Sequence, residues 1–60
     1  MKKYKSKSGT YYIEQHWINK KFYIYRENKI SEEFGTVGEL RSGSYKTYEQ
    51  AEKDLIDLYL

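Results

Sequence analysis

The side chains of this sequence that could do chemistry are few in kind. There is one imidazole, His16, and no cysteine. A single histidine makes a metal site only with several carboxylates, and thiolate ligation is excluded. Serine, threonine and tyrosine hydroxyls are plentiful, but no local pattern sets a nucleophile beside a base and an oxyanion hole. Glu32 and Glu33 are adjacent, so in an extended chain they point apart. Gly35 and Gly38 lack the flanking residues of a phosphate-cradling loop. The expectation is a protein that binds without catalysing and takes no cofactor.

Lysine and tyrosine are the abundant types. The chain holds eight tyrosines, one tryptophan and eleven Lys/Arg. Residues 1–47 carry ten Lys/Arg against five Asp/Glu, a balance of +5. Residues 48–60 carry one Lys against four Asp/Glu, a balance of −3, so the chain is basic first and acidic last. Tyrosine has an apolar body and a polar tip, which suits a half-wet contact surface. The residues expected to meet a partner are Tyr12, His16, Lys20, Lys21, Tyr23, Tyr25, Arg26 and Arg41.

Sixty residues allow one domain, and a chain this short buries only about 60% of its unfolded surface. Met1–Gly9 alternates lysine with small polar residues and reads as a flexible basic arm. Residues 10–60 then read as one α+β domain, an antiparallel hairpin or three-stranded sheet closed by a C-terminal helix (βββα). Thr10–Ile18 and Lys21–Glu27 are aromatic and β-branched, with Asn19-Lys20 as a two-residue turn between them. That turn pairs Ile18 with Lys21, Trp17 with Phe22, Gln15 with Ile24 and Ile13 with Arg26. One face then carries Tyr11, Ile13, Gln15, Trp17, Phe22, Ile24 and Arg26 and is assigned to the core. The other carries Tyr12, Glu14, His16, Ile18, Lys21, Tyr23, Tyr25 and Glu27. Asn28–Glu33 reads as a turn, Phe34–Leu40 as a third strand weakened by its glycines, and Arg41–Ser44 as a loop.

Thr47 is the expected helix N-cap, with Gln50 three residues later as in a capping box. Tyr48, Ala51, Leu55 and Leu58 follow at helical spacing, with Ile56 and Tyr59 beside them.

The segment Ser44-Tyr45-Lys46-Thr47-Tyr48-Glu49-Gln50-Ala51 resembles the strand-to-helix junction of the AP2-like three-stranded DNA-binding domains, including the arm-binding domains of phage-type integrases. The aromatic hairpin with Trp17 is similar too. The resemblance implies that the sheet face opposite the helix lies on DNA, presenting Tyr12, His16, Lys21, Tyr23 and Tyr25. Here that face also carries Glu14 and Glu27.

Two functions stand close together on these readings. One is DNA binding through the tyrosine-rich face and the basic arm, of phage or mobile-element type. The other is a small phage-type protein that binds and inhibits or regulates a host protein, such as a defence enzyme. A homodimer through the tyrosine face is open under either. No apolar run reaches the length of a membrane span and no signal-peptide core follows the basic start, so a cytoplasmic location without a membrane partner is expected.

Overall fold

The computed structural model describes residues 2–31 and 35–60, with side chains for all of these except 29–31 and 35–37. Four strands, β1 (Lys3–Ser6), β2 (Gly9–Gln15), β3 (Phe22–Ser31) and β4 (Gly35–Leu40), precede one helix, α1 (Tyr48–Tyr59). The strands form an antiparallel sheet in the order β1-β2-β3-β4, and α1 packs across β2 and β3.

The core lies between helix and sheet. Tyr4, Tyr11, Ile13, Ile24, Ala51 and Leu55 are buried, and Phe22, Tyr45, Tyr48 and Tyr59 pack around them. Ile24 and Leu55 are fully enclosed. Aromatic rings supply much of the remaining contact. Tyr11 stacks on Tyr59 at 5.1 Å, and Phe22 meets Tyr48 edge-on at 6.1 Å. The tyrosine hydroxyls around the core stay hydrogen-bonded at its rim, as buried hydroxyls require. Tyr45 donates to Asp54 at 2.8 Å, and Tyr59 donates to the Arg41 carbonyl at 2.8 Å.

The sequence predicts a hairpin or three strands, and the structure has four. The basic arm is in part a strand: Lys3–Ser6 pairs with β2, and Tyr4 is buried. One buried aromatic supplies what the lysine-rich composition hides. The Tyr4 hydroxyl donates to Glu52 and shares a 2.9 Å hydrogen bond with Tyr48, tying β1 to the helix. Burial, then these bonds, push the Tyr4 hydroxyl well above the usual tyrosine range.

The first hairpin turn is longer than two residues. His16 N–H donates to the Lys21 carbonyl, so Trp17–Lys20 forms the loop, with Lys20 at φ 63°. The register becomes Ile13 opposite Ile24 and Gln15 opposite Phe22. Trp17, assigned to the core from sequence, is instead 77% exposed at the tip, beyond the reach of α1.

Residues 28–31 extend β3 instead of turning, with an irregularity between Lys29 and Ser31. The remainder of that expected turn, and Phe34 of the expected third strand, fall on residues 32–34, outside the described residues. Leu58 is 69% exposed because Tyr59, stacked on Tyr11, closes the helix stripe in its place.

The helix starts at Thr47 as the sequence reads, with the Thr47 half of the capping box in place and no Gln50 side-chain bond returning to it among the described residues. Thr47 is extended, and its hydroxyl accepts from the Gln50 N–H at 3.2 Å. This satisfies one of the free donors of the first turn. Among the described residues no helix is long and apolar enough to cross a membrane.

Candidate functional site: the open sheet face

With α1 on one side, the other side of the sheet is uncovered. Alternation along the strands decides what it carries. The pairings arrange the side chains in rows across the strands. Nearest the hairpin tip is His16 with Lys21, then Glu14 with Tyr23. The next row is Lys3, Tyr12, Tyr25 and Leu40. The last is Lys5, Thr10, Glu27 and Gly38.

Tyr12 and Tyr25 form the centre of this surface. Their rings stack at 5.5 Å and 18°. Tyr12 reaches across β3 towards β4, where Gly38 makes room for it: a Cβ at position 38 would overlap the Tyr12 hydroxyl. The rings therefore lie along the sheet, half-buried by each other. Burial first, then the nearby Glu14 carboxylate, raises both hydroxyls above the ordinary tyrosine value. Near neutral pH they are neutral phenols, able to donate, accept and stack.

Charge on this face is mixed but ordered. Lys3 pairs with Glu27 at 2.9 Å, which neutralises one of the two carboxylates. Among the described residues Lys5, Lys20 and Lys21 form no ion pair. The four helix carboxylates, Glu49, Glu52, Asp54 and Asp57, belong to the element behind the sheet.

The hairpin tip adjoins this face and is held by its own polar groups. His16 Nδ1 accepts from the Ile18 and Asn19 N–H groups at 3.2 and 3.4 Å. Asn19 Oδ1 accepts from Lys21 N–H, and Asn19 Nδ2 donates to the Tyr23 hydroxyl, both at 2.9 Å. Gln15 donates to the Lys20 carbonyl at 2.9 Å. His16 also meets the Tyr23 ring edge-on.

Of the residues singled out from sequence, Tyr12, His16, Lys21, Tyr23 and Tyr25 come together on the open face, and Lys20 sits at its end. Arg26 and Arg41 do not join them. Arg26 alternates to the helix side, where its stem covers Gly9 and its guanidinium lies 4.0 Å from Glu39. Arg41 pairs with the same carboxylate at 2.6 Å. Both arginines are thus held by Glu39 behind the sheet. Reading the start as an arm leaves Lys3 and Lys5 out of the face, and Thr10 joins it by the alternation of β2. The alternation of Lys3, Tyr4 and Lys5 was the available signal.

A separate open cleft of about 490 Å³ lies where the helix end meets the β1–β2 turn, lined by Lys5, Ser6, Lys7, Ser8, Tyr59 and Leu60. It lies off the tyrosine rows.

In comparisons with known proteins the chain matches no family model, no curated protein and no solved structure.

Proposed function

We propose that this protein is a non-enzymatic nucleic-acid-binding module that lays its open sheet face on DNA. The carrying observation is the grouping of Tyr12, Tyr23, Tyr25 and His16 with Lys5 and Lys21 on the side that α1 leaves uncovered. Lysines meet phosphates without regard to sequence, and phenol rings and hydroxyls meet sugars and bases. Pairing of Glu27 with Lys3 removes part of the repulsion that two carboxylates would otherwise exert. A cytoplasmic location belongs to the same proposal.

Fluorescence anisotropy of a labelled mixed-sequence duplex tests it. Binding at low salt should weaken steeply as salt rises, with a log–log slope of roughly −3 if Lys5, Lys20 and Lys21 each meet a phosphate. Replacing Lys5 or Lys21 by Ala should reduce that slope by about 1. Absence of low-salt binding, or binding indifferent to salt, would remove the proposal.

A second reading is favoured by Glu14, an exposed carboxylate among the tyrosines. It is a small protein of phage type that binds and inhibits or regulates a host protein, since aromatic, mixed-charge surfaces are common at protein interfaces. A pull-down from host lysate with and without nuclease separates the two, because recovery that survives nuclease belongs to a protein target.

A further inference from the structure

The hairpin tip carries two adjacent large apolar side chains that nothing in the fold uses. Trp17 is 77% exposed and Ile18 is 65% exposed. An unstructured loop would give such residues no fixed direction, but this tip is fixed by the His16, Asn19 and Gln15 hydrogen bonds described above. Its ordering is completed before any partner arrives, which lowers the entropic cost of contact.

The tip segment itself carries only positive charge, and the nearest carboxylate, Glu14, lies one row back on the sheet. From Gln15 to Arg26 the sequence has no carboxylate, and Lys20 and Lys21 follow the apolar pair after Asn19. A flat aromatic surface beside two cations is complementary to a base between two phosphates. Apolar side chains that enter nucleic acid at a base step partly unstack it. The tip is also continuous with the tyrosine rows through His16, Lys21 and Tyr23.

We infer that Trp17, with Ile18 beside it, is an apolar wedge that stacks on a nucleic-acid base while Lys20 and Lys21 hold the flanking phosphates. This rests on the nucleic-acid reading and adds base contact to it. The base can come from a duplex step that the wedge opens or from an unpaired position.

Trp17 is the only tryptophan of the chain, so its emission reports on the tip alone. The protein is titrated with a mixed-sequence duplex, with the same duplex carrying one bulged base, with a single strand, and with heparin, a polyanion without bases. Anisotropy of labelled DNA records binding separately. Emission should fall about twofold or more on each nucleic acid it binds, and stay unchanged on heparin. Stronger quenching by the bulged duplex or single strand identifies an unpaired base as the source, and equal quenching by the intact duplex identifies an opened step. Trp17→Ala should weaken DNA binding about 5- to 100-fold, as expected for loss of one stacked base, while Trp17→Tyr retains most of it. DNA binding with unchanged emission and an unaffected Trp17→Ala variant overturns the wedge but leaves the sheet-face reading standing. Equal quenching by heparin overturns the wedge as well. No binding to any nucleic acid overturns both.

Discussion

Gly38 and Tyr12 make the sharpest residue-scale case, because a missing side chain on one strand is what lets a ring from another lie flat. The overlap that a Cβ would create is with the Tyr12 hydroxyl itself, while the ring carbon bearing it stands at 3.1 Å. Gly38→Ala must push the tip of the half-exposed Tyr12 ring aside, at a net cost of about 1 kcal/mol or less. Tyr12→Phe, made in the same chain, should recover much of that loss. Chemical denaturation of both single variants and the double variant measures the coupling, and strict additivity would count against the proposed contact. Gly9 answers a different demand. Its φ of 145° is a conformation that side-chain-bearing residues rarely adopt, and the Arg26 stem lies over it. Thr47 is a third site with a defined cost: Thr47→Ala should destabilise by about 1 kcal/mol in thermal or chemical melts, through loss of the helix cap.

At the scale of elements, β1 is the test of whether the lysine-rich start is structure or decoration. Deleting residues 1–6 removes Tyr4 from the core and uncovers the edge of β2. Loss of a buried aromatic alone costs about 3–5 kcal/mol. A chain of this length has only about 3–9 kcal/mol in all. The deletion should give a chain largely unfolded at room temperature by circular dichroism, whereas a flexible arm could be removed with little effect. The helix cap, the tyrosine face and the inward Tyr11, Ile13 and Ile24 are legible in the sequence because each follows from a local pattern. The hairpin register is not, since it depends on how many residues the turn consumes. The turn takes four residues where two were expected, and a slip of two preserves alternation. That is why the two faces keep their members while Trp17 moves from core to tip. The strand character of residues 3–6 was hidden for another reason: its burial hangs on one tyrosine meeting a helix 44 residues later.

For the whole molecule, tyrosine chemistry sets the response to alkali. Burial and the bond to Asp54 push the Tyr45 hydroxyl up to about 12, and Tyr4, Tyr12 and Tyr25 are also raised. A group whose folded pKa is raised holds its proton more tightly when folded. Its contribution to stability is complete below the unfolded tyrosine value of about 10, and is lost as pH climbs through the folded one. Stability should therefore fall between pH 10 and about 12. Absorbance at 295 nm should show exposed tyrosines ionising first and the remainder together with unfolding. Glu52 acts in the opposite direction. The Tyr4 hydroxyl, with Lys2 behind it, holds the carboxyl below its usual value against an opposing effect of burial. That contribution is present above the ordinary carboxylate range and fades as pH falls, so Tyr4→Phe should flatten the acid limb of the stability curve.

The sheet with its helix behind it offers two broad surfaces, and in the proposed function nucleic acid meets only the one that the helix leaves open. Amide chemical-shift mapping of the full chain, titrated with a mixed-sequence duplex at low salt, reads this directly. Shifts should concentrate at Tyr12, Glu14, His16, Lys21, Tyr23 and Tyr25, with Glu49, Lys53 and Asp57 of the helix left in place. Shifts concentrated on the helix, or no shifts at all, would contradict the proposed function.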